Sequence, residues 1–288
     1  MHRTKAILTL LACLAAAPVP ARDFSGARAL EFTRQAVSFG PRPPGSPAMK
    51  QQQAWLLAQL KPLKCEVLQD DFTAATPRGP VAMKNVIARF RGTSGKAVVF
   101  TGHYDTKYFA DARFVGADDG GSSLGFLLEM AHALSGATRR DDVYLVWFDG
   151  EEAFGEWSAT DSLYGSRHLA QRWAVEGVIG RIRALINLDM IGDRNLDIMQ
   201  EHNSSPGLRK LVWDTARDLG YGKYFLPTGG PTEDDHIPFL KLGVNALDLI
   251  DFDKDYWHTP QDTIDKLAAH SFDVVADVLL HVLKQLEG

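Results

Sequence analysis

The sequence predicts a single α/β domain, an α/β/α sandwich whose central sheet is mixed but mostly parallel. Three observations carry this. Val98-Val99-Phe100-Thr101, Val143 to Phe148, Ala184 to Leu188 and Asn245 to Ile250 are short, strongly apolar runs, as strands covered on both faces are. Stretches with helical spacing alternate with them through the middle of the chain, the pattern of crossovers between parallel strands. Three strand candidates, Cys65–Thr73, Asn85–Phe90 and Ala97–Thr101, follow one another closely, so part of the sheet is expected to be antiparallel.

Taken in order, Ser25 to Phe39 and Ser46 to Leu60 have helical spacing, and Pro41-Arg42-Pro43-Pro44-Gly45 breaks the chain between them. The second and third strands flank a turn at Gly92 to Gly95. A glycine-rich loop then opens a helix from Ser122 to Leu134. The strand through Phe148 and a helix from Ser162 to Ala174 follow. Strands are expected at Ala184–Asp189 and Asn195–Met199. A helix runs from Pro206 to Leu219, with Ser205 as its cap and Pro206 at its first position. Asn245 to Ile250 is a short buried strand, and the last helix spans Thr263 to Leu286.

The 288 residues suit one sizeable domain, and nothing marks a linker. Hydrophobic content of 45% and charged content of 23% are those of a soluble globular chain. A net charge of -5 gives no reason to expect nucleic acid or an anionic membrane as partner.

The N-terminus differs from the rest. Arg3 and Lys5 precede the apolar run Ala6 to Ala17, and Pro18-Val19-Pro20-Ala21 follows. A basic start, a short apolar core and a small final residue describe a secretory signal peptide, with cleavage expected after Ala21 and a mature domain of residues 22–288. The core is too short for a lasting membrane anchor. Leu10-Leu11-Ala12-Cys13 has the form of a lipoprotein site, but the apolar run continues past Cys13. A periplasmic or extracellular location is therefore expected. Once the leader is removed, Cys65 is the only cysteine, so no intramolecular disulfide can form. Its place in a strand predicts a buried, inert thiol.

Metal-competent side chains recur after the strands. His103 and Asp105 follow the run ending at Thr101. Asp118 and Asp119 lie in Gly116-Ala117-Asp118-Asp119-Gly120-Gly121, before a helix. Glu151 and Glu152 follow the strand through Phe148, Asp189 ends the next, and His258 follows the strand ending at Ile250. Each alone fits a plainer role: His103 as a core histidine, Asp119 as a helix cap, Asp189 as a turn residue, His258 as an aromatic-pocket neighbour. Together they converge, because ligands of open α/β sheets bind beyond the carboxyl ends of the strands. Imidazoles and carboxylates without thiolates suit a catalytic zinc. Of two adjacent glutamates, one can hold a metal while the other moves protons.

Those motifs resemble, in order, the metal-site motifs of the two-zinc aminopeptidases of the M28 superfamily. They resemble its glutaminyl-peptide cyclotransferase (glutaminyl cyclase) branch more closely. The stretches Phe148-Asp149-Gly150-Glu151-Glu152-Ala153-Phe154 with Trp157-Ser158, Asp161 to Ala170, His103 to Phe109, Asp234-Asp235-His236-Ile237-Pro238-Phe239-Leu240 and Trp257-His258-Thr259 carry that likeness. It covers about Arg28 to Leu286 and implies a zinc-aminopeptidase-like fold.

The resemblance also implies one zinc per chain, held by Asp119, Glu152 and His258, with Glu151 as general acid/base and Asp189 and Asp234 as a carboxyl pair beside the reacting amide. It places Lys107, Trp157, Glu233, Phe252 and Trp257 around the substrate, and leaves His103 and Asp105 as a possible remnant of a second metal site. The implied reaction converts the N-terminal glutamine of peptides and proteins to pyroglutamate with release of ammonia. A monomer is the default expectation, since the sequence shows no obvious assembly element. A secreted M28-type zinc aminopeptidase is the alternative. The chain departs from the animal cyclases in three places: Glu233 stands where they carry glutamine, Asp251 to Asp255 is more acidic and shorter, and their disulfide near the metal site cannot form.

Overall fold

The apolar runs become the middle of an eight-stranded sheet. A computed structural model describes residues 23–252 and 254–288, so the expected leader lies outside the described residues. The strands are β1 (Glu66–Thr76), β2 (Gly79–Phe90), β3 (Ala97–His103), β4 (Asp142–Phe148), β5 (Ile182–Asp189), β6 (Ile198–Glu201), β7 (Phe225–Gly230) and β8 (Ala246–Ile250). The helices are α1 (Gly26–Ser38), α2 (Pro47–Leu60), α3 (Gly121–Leu134), α4 (Tyr164–Val175), α5 (Pro206–Asp218), α6 (Ile237–Leu240) and α7 (Ala269–Glu287). Their order in the sheet is β1-β2-β4-β3-β5-β8-β6-β7. The block β4-β3-β5-β8 is parallel, as is β6 with β7. The early β1–β2 hairpin, β2 on β4, and β6 on β8 are antiparallel.

β4 shows why its sequence is apolar throughout. Val143, Leu145 and Trp147 enter a large core with residues of α1, α2, α3 and α7. Tyr144, Val146 and Phe148 point the other way, into a smaller core with Leu169 and Trp173 of α4 and Phe239 of α6. Side chains alternate across a strand, so both faces need apolar residues when both are covered. The chain leaves β3 through α3 to β4 on one side and later reaches β5 on the other, with α3 and α4 on opposite faces. That reversal opens a crevice beyond the carboxyl ends of β4, β3, β5 and β8.

Local details differ from the sequence expectation. β6 starts at Ile198, because the Asn195 and Asp197 amides turn onto the carboxylates of Asp193 and Asp251. Ser205 precedes α5, but its hydroxyl accepts from the Ala246 amide at 3.1 Å and makes no cap. The last helix begins at Ala269; Ile264–Lys266 is a separate 3-10 turn, and the Ala268 amide is held by Gly192 O at 3.0 Å. β7 and the four-residue α6 were not expected. Cys65 sits just before β1, half-buried, with its thiol pushed up to about 11 by burial.

Candidate active site

Each strand of the parallel block delivers one piece of the site. His103 is the last residue of β3, and its carbonyl accepts from the Ser123 hydroxyl at 2.7 Å. Its Nε2 lies 3.1 Å from Asp189 Oδ1 at the end of β5 and 3.2 Å from Asp119 Oδ1. The Asp118–Asp119 turn reaches this point because Gly120 has φ +79° and a Cβ there would sit 2.3 Å from Asp105 O. Asp262 fixes the turn from behind, accepting the Asp118 and Asp119 amides at 2.9 and 3.1 Å. The helix cap is Gly120, so Asp119 is free for another task.

After β4, Gly150 (φ +74°) turns the chain so that Glu151 and Glu152 diverge. Asp105 directs them from below: its carboxylate accepts the Glu151 amide at 3.1 Å and the Glu152 amide at 3.4 Å. Asp105 thus backs the glutamate turn and does not join the groups that could hold a metal. Glu152 Oε1 is 3.0 Å from His258 Nε2, and Lys107 Nζ is 3.5 Å from Glu152 Oε2. The Glu151 carboxyl makes no hydrogen bond or ion pair among the described residues.

His258 arrives from the loop after β8 with φ +54°, a conformation that costs a residue with a Cβ roughly 1–2 kcal/mol. Neighbouring rings hold it there. Trp257 stacks on it at 4.0 Å between centroids, and Phe114 and Phe109 meet it edge-on at 5.9 and 6.2 Å. Phe252 in turn packs on Trp257 at 4.7 Å.

Two groups of three therefore converge on one carboxylate: Asp119, Glu152 and His258, and His103, Asp119 and Asp189. In each, the potential ligand atoms all lie within 4.8 Å of one another. Asp119 Oδ2 is 3.3 Å from His258 Nε2 yet buried without a well-aligned hydrogen-bond donor. An oxygen-and-nitrogen set with an orphaned buried carboxylate oxygen fits a divalent cation such as zinc.

Burial opposes the charged form of Asp119, but His103 and His258 outweigh it and hold its pKa well below the ordinary range. Burial likewise works against charge on His258, yet Asp119 and Glu152 lift it to about 9. Glu151 is raised well above its usual value, by burial first; Glu152, Asp234 and Asp235 add to the rise, while His103 opposes it. Asp189 is pushed up to about 7, again by burial first, with Asp234 and Asp119 adding and His103 opposing.

These groups open onto a cavity of about 760 Å³. Asp119, Glu151, Glu152, Asp189, Asp234 and His258 line its floor and sides, with Lys107, Trp157, Glu233, Phe252 and Trp257 around them. The three aromatics are 36–39% exposed, so they form walls open to solvent. His103 and Asp105 lie behind the cavity. Sequence reasoning missed Met199, Ile250, Glu156 and the Gly230–Thr232 wall. It also missed Glu201, which fixes that wall by accepting the Thr232 amide at 2.9 Å, the Asn203 amide at 2.7 Å and a contact from His236 at 3.1 Å.

The family model for peptidase family M28 matches residues 85–283, most of the chain and all of the site. The chain belongs to peptidase family M28. Within it, the chain is 32% identical to the glutaminyl-peptide cyclotransferase of Bos taurus, over 83% of its own length and 76% of that protein. It is similar in structure to a glutaminyl cyclase from an Acidobacteriales bacterium, with a TM-score of 0.87, 37% identity, and coverage of 97% of this chain and 99% of that one. A Zn-dependent exopeptidase from Parabacteroides distasonis is also similar, with a TM-score of 0.85, 26% identity, and coverage of 91% and 99%. The α/β/α architecture with a mixed sheet is that of these M28 relatives.

Proposed function

We propose that the protein is a zinc-dependent glutaminyl-peptide cyclotransferase, forming pyroglutamate from the N-terminal glutamine of peptides and proteins and releasing ammonia. One observation carries the reading furthest: Glu151 is unengaged beside Asp119, Glu152 and His258, in a cavity walled by Trp157, Phe252 and Trp257. The relatives named glutaminyl-peptide cyclotransferase support it. One zinc per chain is assigned to Asp119, Glu152 and His258, where it would supply Lewis acidity toward the side-chain carbonyl oxygen of glutamine.

The chain's own residues do the rest. The aromatic walls fold the glutamine side chain back on its α-amine. The amine nitrogen forms a bond to Cδ of the side-chain amide while the bond from that carbon to its NH₂ breaks. Glu151 takes the proton the amine loses and gives it to the departing nitrogen, which leaves as ammonia. Burial raises its pKa above the ordinary carboxylate range, which helps it hold the proton between the two transfers. Asp189 and Asp234, both lining the cavity, orient the leaving amide. Lys107, next to Glu152, orders the cavity rim.

A second reading, an M28-type aminopeptidase, is favoured by the His103–Asp119–Asp189 group, which could take another metal. The two are separated by incubating the purified protein with a glutaminyl dipeptide and with a leucine anilide. Ammonia from the first with its peptide bond intact supports cyclisation. Efficient release of the aniline with two tightly bound zinc ions sinks it.

Export rests on the basic, apolar and small-residue pattern of residues 1–21, with residues 22–288 as the mature catalytic domain. Among the described residues no helix is long and apolar enough to cross a membrane. A monomer is proposed because the sequence shows no obvious assembly element.

A further inference from the structure

We infer that Lys254 and Tyr256 are positioning residues, docking the loop that carries Trp257 and His258 onto the Asp118–Asp119 turn; the inference rests on the one-zinc reading above. Two pairs join the loops in register. The Tyr256 hydroxyl lies 3.0 Å from Asp118 Oδ2, and His258 Nε2 lies 3.3 Å from Asp119 Oδ2. Consecutive acids on one loop thus meet alternate residues on the other, and only the second pair belongs to the proposed metal site.

The anchor reaches further. Asp118 Oδ1 accepts the Gly192 amide at 2.8 Å, and the same Tyr256 hydroxyl also bonds Asp193. Lys254 adds a buried cation to this side. Its Nζ is 2.9 Å from Asp251 Oδ2, 3.6 Å from Asp193 Oδ1 and 3.0 Å from Asn195 O, and its side chain is only 8% exposed. The segment that follows β8 is therefore tied at two points to the segment that follows β5.

Between and beyond those points the backbone folds on itself. Trp257 N donates to Lys254 O at 3.0 Å, and Thr259 donates to Tyr256 O through its amide at 3.1 Å and its hydroxyl at 2.7 Å. Trp257 and His258 are carried on a turn whose anchors are the side chains of residues 254 and 256. His258 has a positive φ, which a loose loop would abandon. The anchors hold the imidazole against Asp119 and the indole against the cavity, so they act on metal retention and on substrate fit together.

The test is Tyr256→Phe, which keeps the ring and removes the hydroxyl, with Lys254→Met as the second variant. Zinc affinity is read by competition with a chromogenic chelator, without turnover. The expected result is an affinity weakened about tenfold, the size found for groups that orient metal ligands. KM for a glutaminyl dipeptide rises more than kcat falls, and the melting temperature of the zinc-free protein moves by no more than about 4 °C. Wild-type zinc affinity with wild-type KM in a folded variant overturns the inference, whatever its melting temperature. Should Tyr256→Phe not fold, Lys254→Met decides on the same two readouts. Failure here is distinct from failure of the functional reading: a wild-type protein that binds zinc but releases no ammonia breaks that reading and leaves the anchors standing.

Discussion

The two groups that meet at Asp119 have the same chemistry and opposite surroundings. Glu152 and His258 face the cavity, and the His258 side chain keeps 20% of its surface exposed. His103 is 1% exposed, lies behind the cavity, and its Nε2 is already shared between Asp119 and Asp189. A cation on the first side is open to a substrate and sits beside the unengaged Glu151. On the second side His103 does not line the cavity, so a cation there is reached only past Asp119 and Asp189. The difference teaches that metal-competent residues are sorted by access as much as by identity: one side is built for chemistry, the other braces it.

The largest effect should come from Glu151→Gln. It is expected to keep zinc and lose turnover by about 10²–10⁴-fold, the range for a positioned acid/base. Metal content and kcat measured on one preparation check this; normal turnover would remove Glu151 from proton transfer. The next comparison sets His258→Ala against His103→Ala. The first should fail to retain zinc through dialysis, whereas the second should bind one zinc with affinity reduced about tenfold, as bracing partners do. Equal losses would make His103 a ligand and erase the distinction between the two sides.

The Gly230–Thr232 wall, which Glu201 holds, can also be probed by pH. Burial opposes charge on Glu201, but His236 and the amides of Thr232 and Asn203 hold it down at about 2 against an ordinary 4.5. A carboxylate depressed in the folded state stabilises above its unfolded pKa, and that stability is lost as pH falls through the folded value. Glu201→Gln should therefore cost up to about 3 kcal/mol at pH 7, with the gap to wild type closing between pH 4.5 and 2. Urea unfolding at pH 7 and pH 3 reads the full gap and its partial closure. The smallest effect is at the rim. Glu233→Gln removes an exposed charge, so the kcat/KM ratio of glutaminyl-lysine over glutaminyl-glutamate peptides should fall only about threefold.

The residues at the strand ends were legible on both sides of Asp119. Val143 to Phe148 announces a strand buried on both faces, and Asp149-Gly150-Glu151-Glu152 can only be the turn beyond it. The same holds for His103 and Asp189 at the ends of β3 and β5. The residues that hold those strand ends and loops in place were hidden because their partners are far apart in sequence. Asp105 reads as a ligand until its carboxylate is found on the Glu151 and Glu152 amides. Glu201 reaches Thr232 and His236, and Tyr256 reaches Asp118, without any local pattern to announce it. β7 escaped notice for a different reason: Phe225-Leu226-Pro227-Thr228-Gly229-Gly230 is a mostly exposed edge with a proline and two glycines, so it lacks the apolar signal of a covered strand.

The central claim is that one side of Asp119 does the chemistry with a single zinc. Zinc titrated into metal-free protein, with ammonia release from a glutaminyl dipeptide followed at each step, tests it most directly. The account predicts that ammonia production rises to a plateau at one equivalent per chain. Activity that appears only as a second equivalent binds, or cleavage of a leucine anilide without ammonia from the dipeptide, would contradict it.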